Sequence, residues 1–204
     1  MDWFKILTLF LGSSVISTFI TLLWNRYSEK KKLHAEIVSK ARITWINEVR
    51  KISAEFIYYC HECIAKKRKH KRIKQRKNQF ISECKIIGMT KDKINTDSYD
   101  NLIDKSIEDY NDYISKAMQK KTELALYFNT SSKKEISTDR HLRIRNKMKK
   151  LIDGIENYER KQSNQSQSKI KKKTYHDLYS EIQDLSKIIG SYLKEEWEKA
   201  KKLK

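Results

Sequence analysis

The sequence contains no proline and only four glycines among its 204 residues. Tight turns and hairpins draw heavily on both residue types, so a fold with many β-strands would lack the residues that its turns require. Long helices need neither of them. The composition therefore predicts an all-α protein, with one N-terminal transmembrane helix followed by an antiparallel bundle of three or four long helices.

Cysteine is also scarce, and Cys60, Cys63 and Cys84 are too few for a disulfide framework. Cys60 and Cys63 have a Cys-x-x-Cys spacing, but a further ligand at the usual zinc-site spacing is absent. Both share a helix face with Phe56 and Tyr59, so we expect thiols in the core rather than a metal or redox site. No catalytic triad, glycine-rich phosphate loop or HExxH pattern is present. We therefore predict a non-enzyme that uses neither a cofactor nor a metal.

Charge is absent from the 19 residues Ile6–Trp24. A helix of this length spans roughly 28 Å, close to the roughly 30 Å hydrocarbon core of a bilayer. Trp3 and Trp24 lie at its two ends, where aromatic side chains mark a membrane interface. The alternative is a cleaved signal peptide, but no small-x-small cleavage site follows the apolar run. The sequence thus predicts an uncleaved transmembrane anchor at residues 6–24, in contact with the lipid bilayer.

Positive charge follows this segment at once, in a basic juxtamembrane stretch at 25–32. Only one basic residue, Lys5, precedes the segment. The positive-inside rule then predicts a single-pass protein of the cell membrane, with its N-terminus outside and residues 33–204 forming a cytoplasmic helical domain. The juxtamembrane cations expected near anionic headgroups are Arg26, Lys30, Lys31 and Lys32.

One face of the predicted anchor carries small hydroxyl side chains, because Ser13, Ser17 and Thr21 recur at every fourth residue. Small residues at this spacing let membrane helices approach one another closely. Self-association into a homo-oligomer is one interpretation. An ordinary anchor that tolerates hydroxyl groups is the other, and the sequence does not choose between them.

Beyond the anchor, apolar residues recur at the spacing of helices that form a bundle or coiled coil. The first predicted helix covers 33–65, with a stripe that begins at Ile37, Ala41 and Trp45. The segments expected after it are a basic loop (66–77), a short apolar run (80–89), two helices (98–128 and 138–160), a basic linker of low complexity (160–173) and a last helix (174–201).

The chain carries 45 Lys and Arg residues against 26 Asp and Glu, a net charge of +19. An excess of this size attracts polyanions, so nucleic acid, anionic lipid and an acidic protein are candidate partners. An AT-rich genome would also enrich lysine without any partner. Nine of the 12 residues in 66–77 are basic and none is acidic. This run has three interpretations: it binds nucleic-acid phosphates, it lies on an anionic membrane, or it is a solvated hairpin tip without a ligand.

Two further basic patches, at 140–150 and 169–173, favour a polyanion partner, although they could instead pair with the acidic residues of 97–112. No recognised motif for reading bases is present. The candidate residues for binding nucleic acid or another polyanion are Lys66, Lys67, Arg68, Lys69, Lys71, Arg72, Lys74, Arg76, Lys77, Arg143, Lys147, Lys171, Lys172 and Lys173.

Two stretches, SKARITWINEVRKISAEFI (39–57) and LALYFN…HLRIRNKMKKLIDGI (124–155), resemble segments of small membrane-anchored proteins of Gram-positive bacteria, their phages and mobile elements. The resemblance covers about a third of the chain, and the proline that follows the asparagine of YFN in the pattern is missing here. Since that group has no assigned activity, the resemblance implies only a context, a bacterial accessory gene in phage defence.

The leading hypothesis from the sequence is a membrane-tethered, non-enzymatic binder of nucleic acid or another polyanion, acting in phage defence by abortive infection. The alternative is an oligomerising membrane effector or scaffold subunit that acts through its transmembrane helix. The anchor and the three basic patches support the first hypothesis, and the small-residue face of the anchor supports the second.

Overall fold

A computed structural model describes the backbone of residues 3–128, 135–158 and 174–202, and the side chains of 17–90, 92–128, 139–158 and 174–202. These parts are all-helical and contain no strand, which confirms the predicted fold class of a helical bundle. The helices are α1 (Trp3–Ile86), α2 (Asp97–Tyr127), α3 (Glu135–Glu156) and α4 (Tyr175–Lys201), with a short 3-10 helix (Lys91–Lys93) before α2.

Helix α1 is much longer than the sequence analysis predicted. We expected a helix over 33–65, a basic loop at 66–77 and a separate apolar run at 80–89, but a single helix continues to Ile86. The predicted loop is therefore helical. Lys, Arg and Gln fill most of it and have high helix propensity, and no glycine interrupts the chain between positions 12 and 88.

The end of α1 is set by Gly88. The amide of Met89 donates a hydrogen bond to the carbonyl of Cys84 (3.0 Å), and the amide of Gly88 donates to the carbonyl of Lys85 (3.1 Å). These two bonds form a Schellman cap, which requires a left-handed residue just after the helix. Gly88 supplies it with a φ of +82°. The chain then turns towards α2.

The chain divides into two compact units, Met1–Asn47 with Leu193–Lys204, and Glu48–Tyr192. In the first unit, α1 and α4 run antiparallel. The Ser39 hydroxyl donates to the carbonyl of Ala200 (2.9 Å), and the Arg42 guanidinium lies 3.6 Å from the Glu196 carboxylate. Because this face of α1 contacts α4, the predicted stripe was wrong there: Ile37 is 56% exposed, whereas Ser39 is buried.

In the second unit, ion pairs give the direction of neighbouring helices. Contacts of α1 with α2 join Glu55 to Lys120 and Lys66 to Asp109, so the two helices are antiparallel. Apolar side chains from all four helices fill the space between them. The largest fully buried apolar side chains of this unit are Phe56, Ile64, Leu124, Phe128, Ile144, Met148, Leu151, Ile152, Ile155, Leu178 and Ile182.

The later helices agree well with the sequence pattern. Helices α2 and α4 begin and end within one residue of the predicted 98–128 and 174–201. Helix α3 begins at Glu135 rather than at 138 and ends at Glu156 rather than at 160. Thr138 and Asp139, two residue types that favour a helix N-cap, therefore lie inside the helix and do not begin it.

No helix is long and apolar enough to cross a membrane in the part of the chain whose side chains the structure describes. The predicted anchor Ile6–Trp24 falls within α1, but the side chains of 6–16 lie outside the described residues, as do those of Trp3 and Ser13.

Candidate polyanion surface

The basic run at 66–77 has an inward and an outward side, and three of its nine cations point inward. Lys66 lies 3.0 Å from the carboxylate of Asp109, and Lys77 pairs with Asp100, both across to α2. These ion pairs hold the pKa of the Asp109 and Asp100 carboxyls below its usual value. The acidic residues of 97–112 thus neutralise part of the basic run on α1.

Lys67 is the third inward cation and is only 8% exposed. Its ammonium donates to the backbone carbonyls of Ile155 (2.6 Å) and Glu156 (3.0 Å), and it lies 4.8 Å from the ring centroid of Tyr110. Those carbonyls belong to the last turn of α3, where the helix dipole favours a positive charge. Lys67 therefore caps α3 and does not belong to the candidate polyanion surface.

Six cations of the run remain, and four of them form an exposed face. We define the outward face of α1 as Arg68, Lys69, Arg72 and Arg76, which are all exposed and recur at steps of one, three and four residues. No carboxylate among the described residues lies within ion-pair distance of its three arginines. Lys74 is also exposed and Lys71 is half-buried. The structure thus separates the cations that hold the fold from those that face solvent.

The predicted basic patch on α3 is only partly open. Arg143 is exposed, but Lys147 lies 4.0 Å from Asp184, and Lys150 lies 4.0 Å from Glu181, both on α4. The exposed face of α3 lines an open groove through Asp139, Leu142, Arg143, Asn146, Lys147 and Lys150. The third predicted patch, with Lys171, Lys172 and Lys173, lies outside the described residues.

A group of aromatic rings on α1 and α2 was not predicted from the sequence. The ring centroids of Tyr58, Tyr59 and Tyr113 are 5.4 to 6.5 Å apart. The ammonium groups of Lys66 and Lys116 lie 5.2 and 5.6 Å from the Tyr113 centroid. We call the three tyrosines the aromatic cluster. The sequence signal for Tyr58 is its helical register: it precedes Ala65 and Lys69 by seven and eleven residues, and both of those positions are exposed on α1.

The three cysteines are buried, in agreement with the prediction of core thiols. Burial raises the pKa of the Cys63 thiol to about 12, and the pKa of Cys60 is raised further for the same reason. Both thiols are therefore protonated at neutral pH and poor nucleophiles. Among the residues with described side chains, no group of three or more His, Cys, Asp or Glu residues could hold a metal ion.

The juxtamembrane residues are open to the surroundings of the helix. Trp24 is 71% exposed, and the four predicted headgroup cations, Arg26 and Lys30–Lys32, are exposed as well. Ser17 and Thr21 are exposed on the same side of α1, and the Thr21 hydroxyl donates to the carbonyl of Ser17 (2.8 Å). Among the described residues that are predicted to meet the membrane, these side chains are therefore exposed.

No protein-family model matches this chain, and no curated protein or solved structure is significantly similar to it. The resemblance to membrane-anchored proteins of Gram-positive bacteria and their phages stays a prediction.

Proposed function

We propose that the protein is a membrane-tethered, non-enzymatic binder of nucleic acid or another polyanion. The observation that carries this proposal is the outward face of α1, where Arg68, Lys69, Arg72 and Arg76 are exposed within nine residues. At about 1.5 Å per residue, they span roughly 12 Å along the helix. Exposed arginines suit a phosphate ligand, because the planar guanidinium binds phosphate oxygens in a bidentate manner.

The four outward cations attract an anionic ligand more effectively than the other cations of the run. Lys66 and Lys77 already have carboxylate partners, and Lys67 is held by α3. They contribute little attraction to a ligand, whereas each outward cation that neutralises a phosphate releases condensed counterions into solution. The ligand would therefore bind through its backbone charge, and affinity would fall as the salt concentration rises.

The membrane tether is supported by the N-terminal part of α1. The 19 residues Ile6–Trp24 carry no charge. In the described part of this segment, five large apolar side chains are each more than half exposed. Large apolar side chains that are exposed on a helix need an apolar surrounding, which a bilayer provides. These exposed side chains are Phe19, Ile20, Leu22, Leu23 and Trp24.

The orientation and biological role are proposed from the sequence. Arg26 and Lys30–Lys32 favour a cytoplasmic C-terminal domain by the positive-inside rule. A cytoplasmic binder held at the membrane fits the phage-defence context that the resemblance implies, in which it would act by abortive infection on phage nucleic acid. The second candidate is an oligomerising membrane effector or scaffold subunit, which the exposed hydroxyl face with Ser17 and Thr21 favours.

The test measures binding of a labelled oligonucleotide by the full-length protein in detergent micelles, between about 50 and 200 mM salt. The variant replaces Arg68, Arg72 and Arg76 by Gln. We expect the slope of log affinity against log salt to fall by up to about 3, roughly one for each phosphate that the variant no longer neutralises.

A matched control replaces three exposed lysines near the C-terminus by Gln, Lys187 and Lys194 in α4 and Lys202 directly after it. It changes the net charge by the same amount at a different place, so it should leave most of the slope intact. Binding that does not depend on salt, or a control as strong as the variant, would overturn the proposal. The second candidate would be supported instead if changing Ser17 and Thr21 to Leu abolished phage defence in cells but left oligonucleotide binding unaffected.

A further inference from the structure

Tyr58 of the aromatic cluster and the outward face of α1 lie on one side of the same helix. Positions 58, 62, 65, 69, 72 and 76 follow one another at alternating steps of four and three residues, which keeps them in register on an α-helix. This line joins Tyr58 to Lys69, Arg72 and Arg76. From Tyr58 to Arg76, it is roughly 27 Å long at about 1.5 Å per residue.

Tyr58 has the most exposed side chain of the aromatic cluster, since Tyr59 and Tyr113 are half-buried. Its side chain is 52% exposed, although it lies against Tyr59 (5.4 Å between centroids) and Tyr113 (6.5 Å). The neighbouring Tyr113 hydroxyl raises the pKa of the Tyr58 hydroxyl, and the contact between the two rings joins Tyr58 to α2. The cluster therefore presents a supported ring at the surface, rather than a lone side chain in solvent.

The charges around the cluster do not exclude an anionic ligand. Asp109 is paired with Lys66 at 3.0 Å, and Asp112 is paired with Lys116 at 2.7 Å. Lys120 similarly lies 2.9 Å from the carboxylates of Glu55 and Glu123. One carboxylate without such a partner in the described part of the chain remains near Tyr58.

That carboxylate belongs to Glu62, one turn after Tyr58 on the same line, and its charge is felt at the Tyr58 hydroxyl. It lies between the aromatic cluster and Lys69 and opposes an anion there. The site therefore has the cationic outward face at one end, the exposed aromatic ring of Tyr58 at the other, and a single unfavourable charge between them.

We propose that the polyanion is single-stranded nucleic acid, with its phosphates on the outward face of α1 and a base stacked on Tyr58. This inference rests on the proposed function and names its ligand class. In a duplex the faces of the bases are covered by stacking, so an aromatic ring gains contact only with the unstacked bases of a single strand. A cationic groove with aromatic platforms is the general mode of single-strand binding.

The experiment compares Tyr58→Ala with Tyr58→Phe in the full-length protein in detergent micelles. The probes are a fluorescent oligothymidylate and a hairpin duplex with the same number of phosphates. We expect Tyr58→Ala to weaken single-strand binding by about 5- to 100-fold and to leave the salt slope unchanged, because the ring carries no charge. Tyr58→Phe keeps the stacking ring and should bind almost like the parent.

The matched control is Tyr27→Ala, which removes a similarly exposed tyrosine (56%) from the same helix at a distance from the outward face. It should bind like the parent. Glu62→Gln removes the opposing charge and should tighten single-strand binding. Thermal unfolding of each variant shows whether Tyr58→Ala keeps the fold. If it does not, Tyr58→Phe still tests whether the aromatic ring is sufficient for binding.

The outcomes distinguish the two proposals. Equal affinity for single strand and duplex, with Tyr58→Ala binding like the parent, would overturn this inference and leave the proposed function standing. No salt-dependent binding of either oligonucleotide would overturn the proposed function itself. A weaker single-strand affinity in both Tyr58→Ala and Tyr58→Phe would also contradict stacking, since the ring is retained in the second variant.

Discussion

At the scale of single residues, Lys67 and Arg68 are neighbours with the same charge and opposite environments. Lys67 is 8% exposed and its ammonium binds the carbonyls of Ile155 and Glu156, whereas Arg68 is exposed on the outward face. A buried cation is tolerated only when hydrogen bonds replace its hydration. The last carbonyls of α3 lack partners within their helix, so the two groups satisfy each other.

We predict that Lys67→Met lowers the free energy of unfolding by about 2 kcal/mol, because it keeps the aliphatic stem but leaves the α3 carbonyls without their charged donor. Arg68→Met should change it by less than about 0.5 kcal/mol, as is usual for exposed positions. Denaturant unfolding in micelles, followed by circular dichroism, measures both. Equal losses in the two variants would show that Lys67 does not cap α3.

The roles of these residues differ in how far the sequence reveals them. The cysteines could be placed in the core because Cys60 and Cys63 continue an apolar stripe through Phe56. Nothing in the run 66–77 marks Lys67, since all nine cations look alike and its partners come from α3, almost 90 positions away. The same holds for Tyr58, whose contact with Tyr113 depends on how α1 and α2 pack.

At the scale of helices, the end of α1 depends on one backbone conformation. Gly88 has a φ of +82°, and a Cβ at this position would meet no atom within 4 Å. Any cost of a side chain there is therefore backbone strain and not a clash. Gly190 offers the opposite case, because it lies exposed within α4 and a Cβ there would also meet nothing within 4 Å.

We predict that Gly88→Ala destabilises the protein by about 1 kcal/mol or more, since an L residue in the left-handed region costs roughly 1–2 kcal/mol. Gly190→Ala, the matched control, should stabilise it by up to about 1 kcal/mol, the difference in helix propensity between the two residues. Thermal unfolding followed by circular dichroism measures both changes. A stabilising Gly88→Ala would mean that the Schellman cap does not form in solution.

Helix boundaries were predictable where turn residues or loss of periodicity marked them. Helices α2 and α4 have strong apolar stripes between polar segments, and their ends agree with the sequence to within one residue. The predicted end of α1 at 65 was too early, because the apolar pattern is lost in the basic run. The inward side of that run uses Lys66, Lys67 and Lys77 for polar contacts, and His70 forms a hydrogen bond with the Ser106 hydroxyl (2.8 Å). A hydropathy pattern does not detect such contacts.

At the scale of the whole molecule, the net charge of +19 and the uncharged segment Ile6–Trp24 describe two separate means of reaching a membrane. Basic residues such as Lys30–Lys32 can hold a protein on anionic headgroups, and that attraction is screened by salt. An inserted helix is held by apolar burial, which salt does not weaken. Extraction behaviour therefore separates a surface-bound protein from an anchored one.

We predict that the full-length protein stays in the membrane fraction of cells after washing with about 1 M salt, where the Debye length falls to about 3 Å. Replacing Val15 and Ile16, in the middle of the uncharged segment Ile6–Trp24, by Arg should release it, because each arginine near the centre of a membrane helix costs about 2.5–3.5 kcal/mol. Replacing Lys30, Lys31 and Lys32 by Gln, the matched control, should leave the protein in the membrane and alter only its orientation. Release of the unmodified protein by salt alone would mean that charge, and not the apolar segment, holds it there, and a binder attached in that way would lose its membrane and its polyanion under the same conditions.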